Sequence, residues 1–174
     1  SEKENFQTLK VRDWIQLSIL GIITIAITQG AQFLGLHLLP AASVSLIYNM
    51  SPLLVTIGGI AFLAEFPTWM QWLGILLNIF GVIIYFYPFA ITADMGIGLV
   101  VALIGLLGNT LATLMGRRIN FKGKITPAII TTVSIGIGST IMLITGLITE
   151  EFPAISAVQW FIIVWMAVIN TAFA

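Results

Sequence analysis

Residues 95–148 read MGIGLVVALIGLLGNTLATLMGRRINFKGKITPAIITTVSIGIGSTIMLITGLI: two apolar runs, Met95–Gly116 and Thr126–Ile148, joined by a short segment carrying Arg117, Arg118, Lys122 and Lys124. Each run is long enough to cross a bilayer core, which takes about 20 residues of helix. Working outward, four more apolar runs appear: Trp14–Leu39, Ala42–Ala64 and Thr68–Tyr87 before this pair, and Ile155–Ala174 after it. The expected fold is all-α, a polytopic transmembrane helical bundle of six spans. Composition agrees, with 59% hydrophobic and 8% charged residues and a mean hydropathy of +1.07. A soluble domain of this length could not bury so much apolar surface.

Charge sets the topology. The seven Lys and Arg residues fall in Lys3–Arg12 and Arg117–Lys124. Four spans separate the two segments, so both lie on one side; an odd number would have parted them. Short basic loops stay cytoplasmic, which predicts an inside N-terminus, with residues 1–13, the Glu65 turn and the Arg117–Lys124 loop inside. His37–Ala41, Pro88–Asp94 and Thr149–Ala154 then face out. Trp14, Trp69 and Trp72 at inner ends and Tyr85 and Tyr87 at an outer end fit aromatic belts, whereas Trp160 and Trp165 lie within the last run. The first apolar run outruns the signal-peptide core of about 7–15 residues and reads as a span that stays. The end on Ala174, with no polar flank, reads as a chain cut at or just inside its sixth span. A net charge of zero gives no sign of a nucleic-acid partner, and without cysteine neither a redox compartment nor a metal framework is legible.

The stretch 43–86, SVSLIYNMSPLLVTIGGIAFLAEFPTWMQWLGILLNIFGVIIYF, carries an ordered set of features: Ser51-Pro52 in mid-membrane, a short Ala64-Glu65 turn, a Trp69 to Trp72 entry, and Leu73-Gly74-Ile75. In this it resembles the EamA family of the drug/metabolite transporter superfamily. The helix from Gly96 that closes on Arg117 and Arg118 is similar to the one that opens the family's second repeat, and residues 168–174 resemble a later helix of that repeat. The resemblance implies ten helices in two inverted five-helix repeats with both termini cytoplasmic. This chain would supply helices three to eight: residues 14–90 the C-terminal part of the first repeat, 91–174 the N-terminal part of the second. It also implies a carrier in the plasma or inner membrane that moves a small organic metabolite, by export, through alternating access. A non-transporting or truncated membrane subunit is the alternative reading, and a homodimer is left open.

Site residues are sought among polar groups at membrane depth, where they usually face a cavity or a neighbouring helix. No Asp, Glu, Lys or Arg stands in mid-span; a charge there costs about 2.5–3.5 kcal/mol on insertion scales. These spans therefore offer no acidic proton relay. On the second span Ser45, Asn49, Pro52 and Thr56 share one helical stripe, and Pro52 removes the bond to the Tyr48 carbonyl and bends the helix. A cavity wall with a hinge and a simple kinked contact both fit, with the cavity preferred; Tyr48 could line it or snorkel. On the first span Thr24, Thr28 and Gln32, with Gln29 nearby, suit a neutral or zwitterionic solute or hydrogen bonds between helices. Asn109 and Thr113 are further cavity candidates. Gly108, Ala112 and Gly116 beside them, and Gly74, Asn78 and Gly81 on the third span, read as packing rows. Ser134 and Gly138 do not decide either way, His37 reads as a solvated helix end, and Asn49-Met50-Ser51 matches a glycosylation pattern only by accident of depth. Paired intramembrane aspartates, HExxH, Gly-x-Ser-x-Gly and glycine-rich phosphate loops are missing from the sequence, so neither an enzyme, a cofactor nor a metal is expected. A small four-helix exporter would carry a glutamate in its first span, which this chain does not.

Overall fold

A computed structural model describes residues 9–87, 93–121, 125–149 and 156–172, with the side chains of 93, 94 and 170–172 outside the description. The described residues form six apolar helices: α1 Val11–Leu38, α2 Ala41–Leu63, α3 Trp69–Phe86, α4 Ala93–Phe121, α5 Pro127–Thr149 and α6 Ala157–Ala172. Five of them are long and apolar enough to cross a membrane, and α6 has a shorter apolar stretch, Ala157–Ile169. The runs read from hydropathy match these helices to within a turn, except at two places. Arg117 and Arg118, expected in a loop, ride on the last turns of α4, which continues to Phe121. Ile155 and Ala174, the bounds of the last run, lie outside the described residues, as do Lys122, Lys124 and the Pro88–Thr92 connection.

Helix starts follow local chemistry. The Thr68 N–H donates to Gln71 Oε1 at 2.8 Å, the Ser156 N–H to Gln159 Oε1 at 2.8 Å, and the Lys10 N–H to Asp13 Oδ2 at 3.0 Å. Each answers an N–H that has no partner within its own helix.

The chain divides into two compact units, Ser1–Leu143 and Ile144–Ala174. In the first, α4 is the central element. Ala102 and Leu106 are 0% and 3% exposed and join Leu39, Val44 and Ile47 in one apolar cluster. A second cluster brings Leu17 and Leu20 of α1 together with Ala112, Ile119, Ile129 and Val133. Here α1 and α5 cross backbone to backbone: a Cβ on Gly21 would strike the Ser134 carbonyl oxygen, and one on Gly138 the Gly21 carbonyl oxygen. Small residues permit such approach where lipid supplies no hydrophobic drive between helices. The Ser134 hydroxyl, buried at this crossing, has no hydrogen-bond partner among the described residues. In the second unit the end of α5 leads to α6, whose Phe161 and Trp165 rings stack at 6.1 Å and whose described side chains are exposed.

Two helices are irregular. Residues 22–29 of α1 are wound into wide π turns, and Thr28 Oγ1 donates to the Ile23 carbonyl, five residues back, at 2.9 Å. In α2 the first half, Ala41–Tyr48, ends at a turn at Asn49 and Met50, and the helix resumes at Ser51. The interruption precedes Pro52, where the sequence had placed the bend. Proline sits instead in the first turn of the resumed helix, where its missing N–H is tolerated, and Leu53 N–H turns to the Met50 carbonyl at 3.1 Å. Of the expected stripe, Ser45, Asn49 and Pro52 are exposed and Thr56 is half-buried.

Candidate functional site

Polar side chains gather first where α1, α2 and α4 meet. Tyr48 on the first half of α2 donates its hydroxyl hydrogen to the Thr28 carbonyl of α1 at 3.0 Å. Gly105 of α4 makes room for it, since a Cβ there would collide with the Tyr48 hydroxyl. On the second half of α2, Ser51 Oγ accepts from Asn109 Nδ2 of α4 at 2.6 Å. Both halves pack on α4, but their hydrogen bonds go to different helices, one on either side of the break. Thr28 is 6% exposed, and a Cβ at Gly108 would stand 2.9 Å from its Oγ1. Thr113 and Thr24 hydroxyls bond carbonyls one turn back in their own helices, Asn109 at 2.8 Å and Leu20 at 2.7 Å. Of the predicted cavity residues, Thr28, Tyr48 and Asn109 thus carry contacts between helices.

A cavity of about 700 Å³ lies on the other side of α2, against α3, and its wall runs from Pro52 and Thr56 past Gln71, Gly74 and Asn78 to Glu65 and Arg117. Its lining is mixed: apolar from Leu53, Val55 and Ile75, neutral and polar from Thr56, Thr68, Gln71 and Asn78, and charged at one end. There Arg117 donates through one guanidinium nitrogen to Glu65 Oε2 at 2.8 Å, the two side chains being 48% and 34% exposed. Glu65 is set by the end of α2. Ala64 takes the left-handed conformation at φ 54°, which a non-glycine residue adopts seldom, and the Glu65 N–H closes onto the Gly59 carbonyl at 3.1 Å.

Only Pro52 and Thr56 of the predicted cavity residues reach this wall. Gly74 and Asn78, read as packing, line it as well. Gly74, Gly81 and Gly116 have open space where a Cβ would go, so no described residue packs closely on them, whereas Gly108 and Ala112 lie in tight contact. Gln29 and Gln32 are half-buried on α1 with no hydrogen-bond partner among the described residues, and Ser45, Asn49 and His37 are exposed. Sequence reasoning missed Glu65, Thr68 and Gln71 as lining residues. Their signal was a polar turn between two apolar runs, which topology alone seemed to explain. Among the described residues no group of three His, Cys, Asp or Glu could hold a metal ion.

Several long apolar helices, with polar contacts between them in mid-span and at one end and a polar-walled cavity beside a broken helix, define a multi-pass helical membrane protein. Residues 2–87 match the EamA-like transporter family and belong to it. The chain is also 28% identical over 152 residues to "Uncharacterized transporter YvbV" of Bacillus subtilis (strain 168), an alignment that covers 84% of this chain and 47% of that protein. The chain thus spans about half the length of the curated relative it matches. No solved structure matches it.

Proposed function

We propose that the complete protein is a carrier that moves a small organic metabolite across the cell membrane, outward, by alternating exposure of a cavity between two repeats. One observation carries the reading: the wall of the cavity holds hydrogen-bonding groups without a partner among the described residues, namely the Thr56 hydroxyl and the Asn78 amide, next to a broken helix. An amide in a hydrocarbon setting is costly without a partner, and a solute that replaces water there can pair with it. Broken helices beside such cavities are a recurring device of secondary carriers. The cavity suits a neutral or zwitterionic solute along most of its wall, with the charged groups confined to one end. That end carries Arg117, so the positive-inside bias makes it the cytoplasmic one, with an inside N-terminus.

The test is expression of the full-length protein in bacterial cells, with small molecules in the medium compared by mass spectrometry against cells carrying empty vector. At least one metabolite should accumulate outside, and Asn78→Leu should return it to the control level at equal amounts of protein in the membrane. Identical media from expressing and control cells, for export and for uptake of the same compounds, would overturn the proposal.

A further inference from the structure

We propose that the Glu65–Arg117 ion pair is a latch that closes the charged end of the cavity and opens when a solute passes there. The inference rests on the carrier reading, since a latch matters only where a cavity changes its exposure. The pair joins residues 52 apart in the chain, one in the turn between α2 and α3 and the other on the last turns of α4, and both line the cavity. By the repeat boundaries the sequence suggests, one partner belongs to each repeat. Deeper in, α2 and α4 touch through Gly58 and Leu114, an apolar contact that offers no directional bond. Among the described residues the ion pair is the directional link at this end, and the Ser51–Asn109 hydrogen bond lies further in.

Its two sides are held differently. Glu65 is fixed by the left-handed Ala64 and by its own N–H bond to Gly59, and its Oε2 rests where a Cβ on Gly59 would stand 3.4 Å away. Arg117 is a long side chain on a helix end and engages Glu65 through one nitrogen, leaving most of its five donors without a partner among the described residues. A fixed receptor and a swinging arm make a contact that can open by side-chain motion alone. Exposure matters too: a pair so open to water binds weakly, whereas a buried pair would be hard to part.

The experiment uses the full-length protein with any cysteine beyond these residues replaced, the present 174 containing none. Asn78→Cys serves as reporter, and its modification by a membrane-impermeant maleimide is timed in membrane fragments open on both sides. Glu65→Gln and Arg117→Gln should each speed labelling, by up to about fivefold, the factor an exposed pair can supply. The exchange Glu65→Arg with Arg117→Glu should restore the slow rate. Equal rates in all four backgrounds would overturn the latch, as would fast labelling in the exchanged protein, which would trace the effect to local disruption. No solute enters this measurement. A shift in labelling, beside no metabolite moved by the protein with Asn78 intact, would refute the carrier reading while keeping the ion pair as the closure of the cavity.

Discussion

α4 and α3 are both apolar helices sprinkled with glycine and carrying an asparagine in mid-span, Asn109 and Asn78, but 44% of the apolar stretch of α4 is buried against 6% for α3. On α4, Gly105 and Gly108 admit Tyr48 and Thr28, and Asn109 is bonded to Ser51. On α3, Gly74 and Gly81 face open space and Asn78 faces the cavity. The same small and polar residues thus do opposite things. Where a neighbouring helix comes close, glycine makes room for its side chains and the amide is satisfied within the protein; where none does, glycine only loosens the helix and the amide is left for something else. A glycine four residues before the asparagine is common to both, Gly105 and Asn109 on α4 and Gly74 and Asn78 on α3, so it is the neighbour that decides.

The largest effect expected from this contrast lies at the α1–α5 crossing. A methyl at Gly21 would meet the Ser134 carbonyl, a backbone atom that cannot rotate aside. Gly21→Ala must push the helices apart, and overpacking of this kind costs about 1–3 kcal/mol. Gly138→Ala should behave alike, because its methyl would meet the Gly21 carbonyl. Unfolding of the full-length protein in mixed detergent and dodecyl sulfate micelles measures both. Variants as stable as the parent would mean that the two helices do not cross this closely.

Next in size is the coupling between Ser51 and Asn109. Hydrogen bonds between membrane helices average about 0.6 kcal/mol and reach about 1.7, and this short one, at 2.6 Å, belongs in the upper part of that range. A double-mutant cycle with Ser51→Ala and Asn109→Ala, read by the same unfolding, isolates it. Additive losses would separate the second half of α2 from α4 and weaken the contrast with α3.

These differences explain what the sequence could and could not tell. Spans were legible because hydropathy depends only on runs of residues. The break in α2 was foreseen between Tyr48 and Pro52, and the turn at Asn49 and Met50 lies there, but Pro52 signals a disturbance without saying whether it bends a helix or opens a new one. The wide turns at 22–29 left no mark at all: IITIAITQ holds neither proline nor glycine. Thr28, Tyr48 and Asn109 were recognised as polar residues needing partners, but whether the partner was a helix or a solute depended on which helices were neighbours. The cavity was hidden for the same reason, as Glu65 and Arg117 meet only once α2, α3 and α4 have come together.

Gly81→Ala gives the smallest effect and the sharpest test of the contrast, because its sign is at issue. Glycine inside a helix costs roughly 0.5–1 kcal/mol relative to alanine through lost backbone freedom. At Gly21 that gain is overwhelmed by the clash, whereas at Gly81 nothing stands within 4 Å of the added methyl. Gly81→Ala should therefore raise stability by up to about 1 kcal/mol in the unfolding assay that shows Gly21→Ala lowering it. A loss at Gly81 would show that a further helix, or a second copy of the chain, packs on α3 in the complete protein. The row Gly74, Asn78, Gly81 would then be a contact surface after all, and Asn78 would have to be shared between that contact and the cavity.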